Sequence, residues 1–158
     1  MKAKVYLKKI RKMDAMINAD IEELAQLEAL ATKTGAVMCG ERVQTSGSQQ
    51  KMADCVVKIV EMKDKINTEI DSYINYKAEA RRMLCECSAD CIMLLQKRYF
   101  GVYDDEKKKT VYKTWEEIAA DMNFTYKWVS GGLHQRALSQ FQKAMDERIK
   151  DDEAADVK

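Results

Sequence analysis

A chain of 158 residues, of which 46% are apolar and 34% charged, can form the core of one ordinary domain, and this balance excludes wholesale disorder. The chain has no proline and is rich in good helix formers, so we expect long, uninterrupted helices. It has no apolar run of the roughly 18 residues that span a bilayer, and no signal-peptide segment at its N-terminus. We therefore expect a cytoplasmic protein whose five cysteines are reduced.

The charges are distributed unevenly, although the formal net charge is only +1. Residues 1–12 carry six basic side chains and no acidic one, whereas residues 151–158 carry four acidic side chains and one lysine. Between Met122 and Met145 there are three basic side chains and no acid. Basic segments of this kind hint at contact with nucleic acid.

Two long amphipathic helices are predicted in the first half of the chain, over about residues 3–31 and 51–86. Residues 32–50, rich in glycine, serine and threonine, are predicted to be a loop. Apolar side chains recur at steps of three and four along both helices, at Leu7, Ile10, Met13, Ile17, Ile21, Leu24 and Leu27, and at Met52, Cys55, Ile59, Met62, Ile66, Ile70 and Tyr73. The pattern fits an antiparallel hairpin within the chain or a coiled-coil seam between two chains, so residues 1–86 are interpreted as a helical arm.

A further helix is predicted to begin at the N-cap Ser88 and to end at Gly101. The segment "VYDDEKKKTVYK" that follows it is a polar connector, predicted to be a solvated loop or a short hairpin. Three free cysteines, Cys85, Cys87 and Cys91, lie at the start of this region in a C-x-C-x3-C spacing. This is not a standard zinc spacing, so we interpret them as small apolar residues at a helix interface.

A helix-turn-helix is predicted within residues 87–148. Thr114 and Glu117 have the spacing of a capping box at the start of a two-turn helix, "MNF" forms a short turn, and Thr125 is the N-cap of a longer helix. Residues 149–158 are interpreted as an acidic tail. The expected fold class is therefore all-α, a long helical hairpin or coiled coil followed by a C-terminal helix-turn-helix domain.

The two faces of the longer helix differ in character. Its inward stripe is predicted to be Val129, Leu133, Ala137 and Phe141. On the outward face, Lys127, Arg136 and the helix N-terminus at Thr125 can hold phosphates. The best candidates for base edges are Tyr126, Ser130, His134 and Gln135. The alternative is that the two helices simply complete a helical bundle.

Catalysis and cofactor binding find no support in the sequence. His134 is the single histidine, and no G-x-S-x-G elbow, phosphate-binding loop or dinucleotide fingerprint is present. Acidic pairs such as Glu22-Glu23 fit solvated helix surfaces better than a general acid–base pair. We therefore expect a protein that is not an enzyme and that holds no cofactor or metal.

The segment "LLQKRYFGV…TWEEIAADMNFTYKWVSGGLHQRAL" resembles region 4 of the sigma-70 family. Over residues 4–145 the chain is also similar to the ArpU/RinA-type late transcription regulators of phages and prophages and to related uncharacterised phage proteins. The resemblance implies a DNA-binding protein that acts on phage late genes and contacts RNA polymerase. Carried over by position, it places Thr125, Tyr126, Lys127, Ser130 and Gly131 against DNA. It makes Ile118, Ala119, Val129 and Leu133 the residues that hold the two helices together.

The predicted function is accordingly a phage DNA-binding transcription regulator that forms a homodimer through its long helices. Two alternatives remain open: a small-terminase-like DNA packaging adaptor, and a protein-binding module on RNA polymerase. Gly131 and Gly132 lie in the middle of the longer helix, where each costs roughly 1 kcal/mol relative to alanine. The pair allows a bend, a close approach of the backbone to a partner, or a break into two helices, and we favour one continuous, locally weak helix.

Overall fold

The fold is all-α apart from one small hairpin. The computed structural model describes the backbone of residues 1–37 and 46–155 and the side chains of residues 1–33 and 52–150. The elements in chain order are α1 (Ala3–Val37), α2 (Ser46–Leu84), α3 (Ala89–Leu95), the π-helical turn π1 (Gln96–Phe100), β1 (Val102–Asp104), β2 (Lys109–Val111), α4 (Trp115–Met122), the π-helical turn π2 (Trp128–Leu133) and α5 (His134–Ala155). No described helix is long and apolar enough to cross a membrane.

Two compact units divide the chain differently from the predicted boundary at residues 86 and 87. One unit contains Met1–Asp14 together with Tyr73–Lys158, and the other contains Ala15–Ser72. The first turns of α1 and the last turns of α2 therefore belong with the helix-turn-helix, and the arm proper is residues 15–72. Sequence periodicity could not place this boundary because both helices run through it without interruption.

The arm is a hairpin of two helices from one chain. Lys65 Nζ lies 2.8 Å from Asp20 Oδ2, and Lys63 Nζ lies 2.7 Å from Glu28 Oε1, so that α1 and α2 are joined by ion pairs. Of the two pairings left open by the sequence, the hairpin within the chain is therefore the one that the structure contains. Ile17 and Ile66 are the buried side chains among those described in this unit.

Many apolar side chains of the arm remain on its surface. Ile21, predicted to lie in the inward stripe, is exposed, and so is Met52. Two helices cover only one side of each other, so the flanks of both stripes stay open to solvent. The exposed apolar set of the arm is Met16, Ile21, Leu30, Met52, Val56, Val57 and Val60.

The other unit has a continuous core formed by the start of α1, the end of α2 and the C-terminal helices. Tyr6 of α1 stacks on Tyr76 with ring centroids 4.4 Å apart, and lies 5.8 Å from the ring of Phe141 in α5. The backbone amide of Ala3 donates to Gln142 Oε1 at 2.7 Å. The fully buried members of this core include Leu7, Ile10, Leu84, Leu94, Leu95, Ile118, Val129 and Phe141.

The connector between π1 and α4 is the antiparallel hairpin β1–β2, in which Val102 pairs with Val111. Of the two forms predicted for this segment, the hairpin is the observed one. It is anchored on α1 through the buried carboxylate of Asp14, which accepts hydrogen bonds from Thr110 Oγ1 at 3.1 Å and from Tyr112 Oη at 2.8 Å. Burial and the neighbouring Asp14 carboxylate raise the pKa of Tyr112.

Several predicted boundaries need correction. The loop predicted over residues 32–50 is shorter, since α1 continues to Val37 and α2 begins at Ser46, while residues 38–45 lie outside the described residues. The segment predicted as an acidic tail is helical as far as Ala155, because α5 has no breaker after residue 148. Ser88 does occupy the N-cap of α3, but its hydroxyl bonds to Gln140 Oε1 at 3.2 Å rather than to the helix.

Candidate nucleic-acid interface

The predicted capping box begins the first helix of the helix-turn-helix. Thr114 Oγ1 accepts from the amide of Glu117 at 3.3 Å, and the carboxylate of Glu117 accepts from the amide of Thr114 at 2.7 Å. These bonds satisfy two amides that have no partner inside the helix, and they confirm the predicted start of α4. Bonding to the backbone holds the pKa of Glu117 below its ordinary value.

A tight turn separates α4 from the longer helix. Asn123 ends α4 in the left-handed conformation, with φ of 55°, which asparagine tolerates better than most residues. Thr125 Oγ1 then accepts a long hydrogen bond of 3.4 Å from the amide of Trp128, and the carbonyl of Thr125 accepts from the amide of Val129. Thr125 is therefore placed as the predicted N-cap, and the predicted order of short helix, turn and longer helix is confirmed.

The inward stripe holds the two helices together as predicted. Ile118 and Ala119 of α4 are buried, and so are Val129 and Leu133 of π2. The same stripe continues along α5 in Ala137 and Phe141, both fully buried. The packing of these side chains fixes which face of the longer helix is left for a partner.

The glycine pair lies inside a π-helical turn of a helix that continues into α5. π2 covers Trp128–Leu133, so the helix widens at the glycines and neither ends nor divides there. A Cβ atom on Gly131 would meet nothing within 4 Å, whereas one on Gly132 would lie 2.5 Å from Cζ3 of Trp128. Gly131 therefore leaves the outward face bare, and Gly132 makes room for the Trp128 ring against the helix backbone.

The structure exposes most of the predicted contact residues along one stretch of helix. The exposed ones are Thr125, Tyr126, Lys127, Gln135 and Arg136. Thr125, Tyr126 and Lys127 come before the π-helical turn, and Gln135 and Arg136 follow it. Ser130 is half-buried, and its hydroxyl donates to the carbonyl of Tyr126 at 2.8 Å, which leaves only its acceptor capacity for a partner.

His134 is the one predicted contact residue whose placement is wrong. Its side chain is only 7% exposed, and Nε2 lies 3.0 Å from the hydroxyl of Tyr99. The edge of its ring packs against Trp115 with centroids 4.8 Å apart. His134 lies three and seven residues before Ala137 and Phe141 in α5, which is the spacing of one helix face, so it points inward with them.

His134 is part of a polar cluster that joins the elements behind the candidate interface. Arg98 lies over the ring of Trp115, with its guanidinium carbon 4.5 Å from the ring centroid. The same guanidinium donates a hydrogen bond to the carbonyl of Lys113 at 2.9 Å. Burial, and to a smaller degree the charges of Lys4 and Arg98, lower the pKa of His134 to about 4. The imidazole is therefore neutral near pH 7 and serves as a structural hydrogen-bonding group.

The longer helix is basic in its first part, since no acidic residue precedes Asp146 in it. Lys127, Arg136 and Lys143 are exposed, and none of them forms an ion pair with another described residue. The nearest acid before them in the sequence, Asp121, is bonded to Lys97 at 2.8 Å and also to Lys113, which hold its pKa at about 2. The positive charges of the longer helix are thus left without internal partners among the residues that the structure describes.

Two aromatic side chains of this surface, Phe124 and Trp128, were not predicted from the sequence to lie on it. Phe124, Tyr126 and Trp128 are 40%, 50% and 47% exposed at the turn and the first turn of the longer helix. Only Tyr126 was predicted to face outward. The available signal was the spacing of Trp128 and Gly132, because a residue without a side chain four positions later lets a large ring lie on the helix surface.

The cysteine cluster lies away from this surface. Cys87 and Cys91 are buried, as expected of small apolar residues at a helix interface, but Cys85 is exposed. Burial raises the pKa of Cys87 to about 11, so this thiol stays protonated at neutral pH. Within the described residues, no three histidine, cysteine or acidic side chains are grouped as metal ligands.

No protein-family model, curated protein or solved structure matches this chain.

Proposed function

We propose that this protein is a non-enzymatic, DNA-binding transcription regulator whose recognition helix runs from Tyr126 through π2 into the first turns of α5. The observation that carries the proposal is the outward face of this helix, where Lys127 and Arg136 stand exposed without acidic partners among the described residues. Two such cations, placed on a helix that a short capped helix supports from behind, fit the phosphates on either side of a major groove.

The neighbouring side chains are suited to base contact. Gln135 offers a donor and an acceptor, and Tyr126 offers a hydroxyl on an apolar ring. The N-terminus of the longer helix at Thr125 adds a place for a phosphate oxygen, because the helix dipole favours an anion there. Gly131 lets the DNA approach the helix backbone closely, since no side chain stands there. His134 is not among the proposed contacts because its side chain is buried.

The resemblance to sigma region 4 and to ArpU/RinA-type regulators supports the same proposal. It also indicates which genes and which partner protein the regulator would act on. On that basis we propose that the protein acts on phage late genes and contacts RNA polymerase. The resemblance implies that Ile118, Ala119, Val129 and Leu133 hold the two helices together, and the burial of these four side chains supports the proposal.

The proposal is tested by the salt dependence of DNA affinity. A mixed-sequence duplex of roughly three helical turns is titrated by fluorescence anisotropy at several salt concentrations between about 50 mM and about 200 mM. Because each neutralised phosphate releases about 0.9 of a counterion, Lys127→Ala with Arg136→Ala should lower the slope of log affinity against log salt by about two.

The matched control is Lys33→Ala with Lys58→Ala, which removes two exposed lysines of the arm. Its affinity and slope should equal those of the wild type. If the Lys127 and Arg136 variant behaves like this control, the assignment of the recognition helix is wrong. If the wild type shows no salt-dependent affinity for DNA, that result favours the alternative of a protein-binding module on RNA polymerase.

Dimerisation through the arm is proposed from its uncovered apolar side chains. Val56 and Val60 are four residues apart and both exposed, and Val57 adjoins them. Burying this surface against a second copy would remove apolar area from water at about 25 cal/mol per Å2.

Light scattering distinguishes the assemblies. We expect twice the monomer mass for the wild type, and the monomer mass for Val56→Glu with Val60→Glu. Lys58→Glu, a charge reversal of an exposed lysine on the same helix, is the control and should stay dimeric. A mass of many subunits would instead favour the ring of a packaging adaptor.

A further inference from the structure

The first turns of α1 carry an exposed strip of lysines. Lys4, Lys8 and Lys12 are four residues apart, so they lie along one side of the helix, and all three are exposed. None of them is within ion-pair distance of a described acidic side chain. The opposite side of the same turns is buried in the core through Ala3, Tyr6, Leu7 and Ile10.

This strip belongs to the same compact unit as the proposed recognition helix. α1 begins beside the middle of α5, where the Ala3 amide bonds to Gln142 and the Tyr6 ring lies 5.8 Å from Phe141. Further along α1, the Arg11 guanidinium lies 4.4 Å from the Tyr112 ring centroid, just before the start of α4. The charge of Lys4 is close enough to His134, the first residue of α5, to contribute to its lowered pKa. α1 therefore passes along the flank of the helix that carries Lys127 and Arg136.

The internal electrostatics of α1 oppose this arrangement of charge. Like charges four residues apart on a helix repel one another and destabilise it, and here two such pairs follow one another. Cations near a helix N-terminus also meet the positive end of the helix dipole, and the first turn of α1 has no acidic residue to offset it. An external polyanion would relieve both costs.

We propose that Lys4, Lys8 and Lys12 form a second phosphate-binding strip that holds the DNA backbone beside the recognition helix. This inference rests on the DNA binding proposed above. The strip supplies affinity and register without reading sequence, because ammonium groups at this spacing meet phosphates rather than base edges. A phospholipid surface fits less well, since the apolar side of these turns is already buried in the protein core.

The test uses the full chain with Lys4→Gln, Lys8→Gln and Lys12→Gln combined. Its control replaces three exposed lysines that form no ion pair with a described residue, Lys33 and Lys58 of the arm and Lys150 of α5, by glutamine. The probe is the mixed-sequence duplex used for the recognition helix. The strip variant should lower the slope of log affinity against log salt by about three, and should weaken binding about equally for all duplex sequences. The control should keep the wild-type slope.

Thermal unfolding of the strip variant provides a second measurement. Since the lysines repel one another in the free protein, the melting temperature of the variant should equal or exceed that of the wild type. A clear loss of stability would assign them a structural role and overturn the proposal.

The outcomes separate this inference from the proposed function. If the strip variant keeps the wild-type slope of log affinity against log salt while the Lys127 and Arg136 variant loses it, that result overturns the proposed role of the lysine strip and leaves the recognition helix in place. The reverse pattern supports the strip and overturns the recognition-helix assignment, and a wild type without any DNA affinity overturns both. Sedimentation with vesicles of phosphatidylserine and phosphatidylcholine tests whether the strip binds a lipid surface instead. If vesicle binding depends on the strip lysines and the salt slope of DNA binding is unchanged in the strip variant, the proposal is also overturned.

Discussion

Replacing Gly101 by alanine should destabilise the protein by about 3 kcal/mol. Gly101 ends π1 with φ of 63° and ψ of −180°, a region that is open almost only to glycine and costs other residues about 1–3 kcal/mol. A Cβ atom there would also lie 2.5 Å from Cγ2 of Thr110 and 2.8 Å from the carbonyl oxygen of Val111. Relief of that clash requires the β2 backbone to move, which adds a cost of about 1–3 kcal/mol.

Urea unfolding followed by tryptophan fluorescence measures the change, since Trp115 and Trp128 both lie in the affected unit. Gly131→Ala is the matched control, because its Cβ meets no atom within 4 Å and its backbone is helical. Alanine in a helix interior is favoured over glycine by up to about 1 kcal/mol, so this variant should be as stable as the wild type or more so. Equal losses in the two variants would contradict the geometry described for Gly101.

Acidification should destabilise the protein through the single histidine. The pKa of His134 is about 4 in the folded state, whereas its ordinary value is 6.5. Between these values the unfolded state binds more protons than the folded state, so stability is complete above pH 6.5 and falls as the pH decreases toward 4. The total loss amounts to about 3 kcal/mol, at about 1.4 kcal/mol for each pH unit.

The measurement has two parts. Because the chain contains one histidine, its imidazole resonances are assigned without ambiguity, and they should titrate near pH 4 in the folded protein. The difference in unfolding free energy between the wild type and His134→Gln should shrink as the pH falls from 6.5 to 4, since glutamine can keep a hydrogen bond to Tyr99 but cannot bind the proton. Acidic side chains titrate in both proteins and cancel in this difference. A pH-independent difference would mean that His134 is solvated in the folded state.

The sequence predicted those features that depend on neighbouring residues. The capping box of Thr114 and Glu117, the N-cap position of Thr125 and the stripe from Val129 to Phe141 are local patterns, and each is present in the structure. The end of the helix at Gly101 was likewise predicted, and a short hairpin was one of the two forms predicted for the segment after it.

Features that depend on distant contacts escaped prediction. The side chain of His134 is buried against Tyr99 and Trp115, which lie far from it in the sequence, so its outward position was predicted without these partners. The bond between Ala3 and Gln142 joins residues 139 positions apart, and no local pattern could place them together. For the same reason the unit boundary was predicted near residue 86 rather than within the long helices.

The packing of the first helical turns has a consequence for dividing the chain into parts. A fragment that begins at residue 87 would lose Tyr6, Leu7 and Ile10, which are buried against the C-terminal helices, and would expose Phe141 to water. Such a fragment would have a helix-turn-helix sequence but an open core, and would tend to aggregate. The longer helix of the helix-turn-helix is thus supported by segments that are far apart in the sequence, and its isolation requires residues 1–14 to be rejoined to the segment from Tyr73 onward.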